Sequence, residues 1–183
     1  MAVVDAECKF TMIDVGVYGK NSDGSIFANC NFGKRLKEGQ LDFPEDAPLP
    51  GTEEPMPHVI VGDEAFPLQR NLMRPYPGNE LINNEDKKIF NLRLSRARNT
   101  SEDAFVILSK RFRVYQRRLE EYWKMKFASS SPQNNALQNL MHVGGAFAGS
   151  SYSTREKFKN YFSSPDGSVE WQVRAVQRGR QYN

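Results

Sequence analysis

The first hydrophobic positions of the chain alternate with polar ones and predict a β-hairpin. Ala2-Val3-Val4 is a short apolar run, and residues 9–16 alternate in the manner of a half-buried strand. Ala6-Glu7-Cys8 lies between the two and is suited to a turn. A chain that begins so close to a turn is expected to lack an earlier strand of the same sheet.

A second apolar segment, His58-Val59-Ile60-Val61-Gly62, is continuous and stops at Asp63. The preceding residues 42–57 contain five prolines, which exclude a helix or a central strand and predict a surface excursion. A continuous Val/Ile run is typical of a strand covered on both faces in an α/β sheet. Because ligands gather at the carboxyl ends of such strands, Asp63 is a candidate site residue; the alternative is a capping aspartate.

From about Glu85 the apolar positions recur every three or four residues and predict a long helix. The stripe comprises Phe90, Leu94, Ala97, Ser101, Phe105, Leu108, Phe112 and Tyr115. Glu102 lies next to this stripe, which predicts a carboxylate at the boundary of the core and facing a cleft. A solvated glutamate is the alternative.

Other predicted elements complete the chain. A helix is expected over 24–37, with Ser22 or Asp23 as its N-cap and Gly39 after its end. Shorter helices are expected to begin at residue 64 and to cover 136–143 and 154–162, and residues 169–173 are expected to form a strand or coil. These elements predict an α/β fold with a domain over residues 1–145 and a C-terminal helix and tail over 146–183.

Composition and charge narrow the class of protein. The 183 residues are 39% hydrophobic and 26% charged, which is typical of a globular domain with a real core. No apolar run reaches the ~20 residues that cross a bilayer, and the two cysteines lack metal-site spacing. Residues 93–126 carry ten Lys/Arg against four Asp/Glu, a local basic stripe suited equally to phosphate binding or to a solvated helix face.

Several segments together resemble the nuclease domain of Harbinger/PIF-type DDE transposases, the DDE superfamily endonuclease family. The similar segments are Val4-Asp5-Ala6, Asp14-Val15-Gly16, Ser22-Asp23-Gly24, Val61-Gly62-Asp63-Glu64-Ala65-Phe66-Pro67-Leu68, Pro75-Tyr76-Pro77-Gly78, Arg93-Leu94-Ser95-Arg96-Ala97-Arg98, Glu102-Asp103-Ala104-Phe105, Arg111-Phe112-Arg113-Val114 and Trp171-Gln172. The resemblance covers nearly the whole chain.

The resemblance implies an RNase H-like mixed sheet flanked by helices, and cleavage of DNA with divalent Mg²⁺ or Mn²⁺ held by an Asp-Asp-Glu triad. It places the second aspartate at Asp63 and the glutamate at Glu102, as catalytic residues and metal ligands, with Asp23 as a secondary position. Carboxylates are the hard oxygen ligands that Mg²⁺ prefers. DNA contacts are expected from the basic stripe, at Arg93, Arg96, Arg98, Arg111 and Arg113.

In one respect the chain differs from the family that it resembles. The first aspartate of the triad lies in the family on a strand upstream of Val4-Asp5, and no matching motif is present, so impaired cleavage is expected. The alternative function is a catalytically dead, transposon-derived module that binds DNA or protein. By resemblance the expected location is the nucleus and the expected partners are DNA and a Myb-like DNA-binding protein, with no membrane association.

Overall fold

A computed structural model describes residues 1–15, 23–112 and 148–178. The strands are β1 (Ala2–Val4), β2 (Phe10–Ile13), β3 (Ala47–Pro48), β4 (Pro55–Met56), β5 (Ile60–Val61) and β6 (Leu72–Met73). The helices are α1 (Asp23–Asn29), α2 (Asn31–Lys37), a 3₁₀ turn (Gly78–Leu81), α3 (Glu85–Arg111), α4 (Ala148–Ser163) and α5 (Glu170–Gln177). This mixture of helices and small sheets fits the predicted α/β class.

The predicted N-terminal hairpin is confirmed. β1 and β2 pair antiparallel, and the Asp5 carboxylate closes the turn by accepting hydrogen bonds from the backbone N–H groups of Glu7 and Lys9 at 3.0 and 2.9 Å. The hairpin lies against α3, where the Phe10 ring meets Phe105 edge-on with centroids 5.1 Å apart.

The apolar segment before Asp63 contributes the parallel strand β5, which is shorter than predicted and pairs with β6. Ile60 and Leu72 join one apolar cluster, formed around Phe27 and Leu36, while Met73 belongs to another. Alternate side chains therefore pack into two different clusters, as the pleat of a strand requires. The prediction of a strand covered on both faces is confirmed.

The second cluster is the main core, and α3 runs through it. It consists of Met56, Met73, Tyr76, Phe90, Leu94 and Phe158. Phe90 is fully buried, and α4 closes the cluster from the other side through Phe158. The first half of α3 is thus a core helix, because its apolar face is covered by α4, by β6 and by the loop around Tyr76.

The predicted apolar stripe of α3 is wrong in its second half. Ala104 is buried, but Phe105 and Phe112 are 51% and 57% exposed. Helical period identifies a face of a helix, whereas burial requires another element to lie on that face. Among the described residues, the hairpin contacts this part of α3 through Phe10.

Three predicted elements differ from the structure. The helix over 24–37 is broken at Cys30, whose Sγ atom accepts a hydrogen bond from the Gly33 N–H and so caps a new helix, α2. Residues 64–66 form a turn instead of a helix. Residues 170–173 are helical, because the buried Gln172 side chain donates to the Phe162 carbonyl at 2.7 Å and fixes α5 against α4.

Other predicted features hold. Gly39 follows α2 with φ of +68°, a conformation that glycine adopts without strain. The prolines of residues 42–57 occur in an irregular segment whose regular structure is limited to β3 and β4. The helix predicted over 154–162 is part of α4. The helix predicted over 136–143 and the domain boundary at residue 145 lie outside the described residues.

Candidate functional site

The candidate site begins where β5 ends. Gly62 donates its backbone N–H to the Met73 carbonyl at 2.9 Å, which extends the pairing with β6 to the residue before Asp63. The Asp63 Oδ1 atom then accepts the backbone N–H of Ala65 at 2.8 Å. Asp63 therefore both ends the strand and shapes the following turn, while Oδ2 is the oxygen that faces α3.

The turn over residues 63–66 is held by two further contacts. Arg74 donates from Nη1 to the carbonyls of Glu64 and Phe66, both at 3.3 Å. The Phe66 ring packs edge-on against Phe27 of α1, with centroids 5.4 Å apart. Because the turn is tied to β6 and to α1, the Asp63 carboxylate has a defined position relative to both.

Helix α1 approaches the same turn through Gly24. A Cβ atom added at Gly24 would lie 2.6 Å from the Ala65 carbonyl oxygen, which is closer than real Cβ atoms come to an oxygen. Glycine is needed here for close backbone approach. Asp23, the first residue of α1, is exposed and adjacent to this contact, so the secondary acid lies beside the turn that carries Asp63.

Helix α3 brings Arg98 to the other side of Asp63. The Arg98 Nη2 and Asp63 Oδ2 atoms are 4.0 Å apart, and both side chains are about one third exposed. A long, solvated ion pair of this kind contributes little, about 0 to 1 kcal/mol. Glu102 is four residues further along α3 and exposed, so it lies on the same helix face as Arg98, roughly 6 Å away between Cβ atoms.

The oxygen chemistry of this surface suits a hard cation only in part. Within the ranges that the structure describes, no group of three His, Cys, Asp or Glu side chains is arranged to hold a metal ion. Asp63 has one oxygen engaged by Ala65 and the other directed at Arg98, while Glu102 is exposed. Asp63 and Glu102 are the carboxylates of this surface that could hold a divalent ion, since hard cations prefer carboxylate oxygens.

Of the arginines predicted to contact DNA, Arg93 is engaged inside the protein. Its Nη1 atom donates to the Gly167 carbonyl and to Gln172 Oε1, both at 3.2 Å, and its guanidinium stacks on Phe162 at 4.6 Å. Burial lowers the pKa of Arg93 from its ordinary value. These contacts favour a packing role, in which Arg93 joins α3 to α4 and α5.

The other predicted arginines are spread along α3. Arg96 is exposed and lies over the Trp171 ring at 3.8 Å, Arg98 faces Asp63, and Arg111 is exposed at the end of the helix. Arg113 lies outside the described residues. Within the described part of α3 the predicted arginines do not share one surface: Arg93 and Arg96 lie near Trp171, whereas Arg98 faces Asp63.

Sequence reasoning missed Arg74 and the C-terminal helix. Arg74 resembles any surface arginine in the sequence, because the acceptors it serves are backbone carbonyls of a turn eight to ten residues away. Arg174 and Arg178 have a signal, since a spacing of four places both on one side of a helix. That signal was hidden by the prediction of a strand or coil over 169–173.

Comparison with known proteins agrees with the resemblance. A curated relative, a "Protein ALP1-like" of Arabidopsis thaliana, is 32% identical over 113 residues, which is 62% of this chain and 27% of that protein. The chain thus spans about a quarter of the length of the curated relative it matches. No solved structure matches. No helix of the described residues is long and apolar enough to cross a membrane.

A protein-family model matches a longer part of the chain than this relative does. The family model described as DDE superfamily endonuclease matches residues 1–137, three quarters of the chain, and includes Asp23, Asp63 and Glu102. Members of this family generally use divalent metal ions. The chain therefore belongs to the DDE superfamily endonuclease family.

Proposed function

We propose that the chain carries part of a divalent-metal-dependent endonuclease site that acts on the phosphodiester bonds of DNA, with Asp63 and Glu102 as the metal-holding carboxylates. The observation that carries the proposal is the contact between Asp63 and Arg98. It places a carboxylate at a strand end against the face of α3 that also bears Glu102. Family membership supports the choice of reaction.

The proposed roles follow from charge and position. A Mg²⁺ or Mn²⁺ ion would supply Lewis acidity toward a phosphate oxygen and a lowered pKa for bound water. Asp63 and Glu102 would hold the ion, and Arg98 would donate to a non-bridging phosphate oxygen. Arg74 fixes the turn that carries Asp63, and Asp23 adds negative charge beside it. With two carboxylates we expect weak metal affinity and no strand transfer.

An RNase H-like arrangement is part of this proposal. The supporting observations are a parallel pair of strands buried on two faces, an acid directly after one of them, and a long helix beside that acid. We assign residues 1–145 to this domain and 146–183 to a C-terminal helix and tail, of which α4 and α5 pack on α3. We also propose the nucleus as its location and a Myb-like protein as a partner of the DNA-bound form.

The proposed function is tested by nicking of supercoiled plasmid in Mg²⁺ or Mn²⁺. Asp63→Asn and Glu102→Gln are expected to reduce the rate to background, because each removes a charged ligand. Asp103→Asn is the matched control: it removes the same charge from an exposed neighbour on α3 and should retain the rate. Nicking that needs no metal, or that Asp63→Asn leaves intact, contradicts the proposal.

A second candidate function is a DNA- or protein-binding module without cleavage. The observation that favours it is that the described residues bring no third carboxylate to Asp63 and Glu102, while Arg98 already lies beside Asp63. DNA binding in EDTA whose affinity falls steeply between about 50 and 200 mM salt supports this function when nicking is absent. Binding to a protein partner would depend far less on salt.

A further inference from the structure

A groove between α3 and α5 has the features of an anion-binding surface. It has a volume of about 350 Å³ and is lined by Leu92, Arg96, Glu170, Trp171, Arg174, Ala175 and Arg178. Three arginines against one glutamate give the lining a net charge of +2. None of these residues belongs to the surface around Asp63. We call it the α3–α5 groove.

The arginines of the α3–α5 groove form no ion pair with another described residue. In residues 1–15, 23–112 and 148–178, no carboxylate lies within 4.0 Å of Arg96, Arg174 or Arg178. Arg174 and Arg178 follow each other at a spacing of four, so two like charges repel each other along one side of a helix. An anion in the groove would remove this repulsion.

Trp171 holds the guanidinium of Arg96 in an orientation that suits an anion. The Arg96 guanidinium lies over the Trp171 ring at 3.8 Å, and Arg93 lies 6.0 Å from the same ring. Stacking fixes the plane of the guanidinium but leaves the N–H groups at its edge available, and this planar fork matches two oxygens of a phosphate. Less side-chain entropy is then lost on binding than for a free surface arginine.

We propose that the α3–α5 groove binds the phosphodiester backbone of duplex DNA, with Arg96, Arg174 and Arg178 as phosphate contacts and Trp171 as the residue that positions Arg96. The inference deepens the proposed function, on which it rests for the choice of DNA. The groove would hold the duplex at a distance from the Asp63 turn. Such contacts orient the DNA and carry no sequence information.

The experiment measures binding of a fluorescent 20-base-pair duplex (~20 base pairs is enough for several phosphate contacts) by anisotropy in EDTA, across a salt series. The full chain is compared with the triple variant Arg96→Gln, Arg174→Gln, Arg178→Gln. Each lost phosphate contact lowers the slope of log K against log salt by roughly 0.9 to 1. The triple variant should therefore lose roughly 2 to 3 from that slope.

The matched control removes three positive charges elsewhere, from the exposed residues of α2, by Lys34→Gln, Arg35→Gln and Lys37→Gln. It should keep the wild-type slope. An equal reduction of the salt slope in the groove variant and the α2 variant would mean that binding depends on net charge alone. An unchanged slope in the groove variant would mean that DNA binds elsewhere. Either result overturns the proposal. If the groove triple does not fold, Arg178→Gln alone, at the end of α5, should still lower the slope by about 1.

Two further readouts separate this inference from the proposed nuclease. The salt slope measured in EDTA reports DNA binding without metal-dependent nicking, so this readout does not depend on the proposed cleavage. Trp171→Leu keeps all three charges and should weaken binding by loosening Arg96, while Trp171→Phe, which retains an aromatic face, should restore part of it. Groove binding without any nicking would refute the nuclease alone, whereas nicking with an unaltered slope in the groove triple would refute the groove alone.

Discussion

Replacement of Gly24 by alanine tests whether the close approach of α1 to the Asp63 turn positions the candidate site. The new Cβ would lie 2.6 Å from the Ala65 carbonyl oxygen, against about 3.4 Å for an ordinary contact. The obstacle is backbone on both sides, so no side-chain rotation relieves it. Either α1 or the turn must move by about 0.8 Å.

The energy of this change has two opposing parts. Overpacking by one methyl group costs about 1 to 3 kcal/mol. Alanine in place of glycine in a helix returns roughly 0.5 to 1 kcal/mol. We therefore expect a net loss of about 1 kcal/mol in the free energy of unfolding, too small to unfold a typical domain. The displacement of the turn is the larger consequence, since a shift near 1 Å at a reacting group costs about 100-fold in rate.

The matched control is Gly39→Ala. Gly39 has φ of +68° with open space around it, so alanine there costs about 1 to 2 kcal/mol through backbone strain without touching the turn. Denaturant unfolding should show similar losses for both variants. Only Gly24→Ala should shift the amide resonances of Ala65 and Phe66 in ¹⁵N spectra and reduce metal-dependent nicking, by about 10- to 100-fold.

The reasoning is refuted if Gly24→Ala leaves the Ala65 amide resonance unchanged while losing stability like Gly39→Ala. The contact would then be relieved within α1 and would not reach Asp63. The amide readout holds whether or not the chain cleaves DNA, so absence of nicking does not affect this test of the geometry.

Three further predictions concern the core and its polar contacts. Tyr76 donates a 2.6 Å hydrogen bond to Glu156, so Tyr76→Phe should cost about 1.5 to 3 kcal/mol in chemical denaturation at pH 7. Burial raises the pKa of Glu156, but hydrogen bonds from Lys159 and Tyr76 outweigh this effect, and the net pKa is lowered. The difference in unfolding free energy between the wild-type protein and Tyr76→Phe should therefore shrink as pH falls below about 4.3. A difference that stays constant with pH contradicts a hydrogen bond from Tyr76 to an ionised Glu156. Arg93→Met should cost about 1 to 3 kcal/mol in thermal unfolding, because the hydrogen bonds to Gly167 and Gln172 are lost. The salt dependence of DNA binding should stay unchanged, and a reduced salt slope would show that Arg93 contacts DNA. Phe90→Ala should cost about 3 to 5 kcal/mol, since Phe90 is fully buried against Tyr76 and Phe162, and a loss below 1 kcal/mol would contradict that packing.

Local patterns were enough to predict several elements. The hairpin of β1 and β2 follows from alternation around a turn, and α3 follows from a period of three to four that begins at about Glu85. The position of Asp63 after a doubly covered strand also follows from a continuous apolar run. Each of these features is formed by residues that are adjacent in the chain, so the local pattern of apolar and polar residues is enough to predict it.

Other elements depend on contacts that are distant in the sequence. Residues 64–68 carry apolar residues that suit a helix, but the Asp63 carboxylate and Arg74 satisfy the backbone groups of a turn there. Residues 170–173 look extended, but the burial of Gln172 beside Arg93 and its bond to Phe162 favour α5. Periodicity does not detect the partners supplied by Arg74, Phe162 and Arg93, because they lie 8 to 79 residues away from the groups they contact.

The sequence by itself determined the family, the acid at the end of β5, the long helix that bears Glu102 and the presence of a basic segment. Tertiary structure decided what each charge does: it tied the half-buried Arg93 to Gly167 and Gln172, stacked Arg96 on Trp171 and set Arg98 against Asp63. It also brought α5 to the side of α3, which created a groove that no local pattern predicts. The physical reason is that charge and period belong to a segment, whereas the neighbours that neutralise, bury or orient a side chain are chosen by the packing of the whole fold.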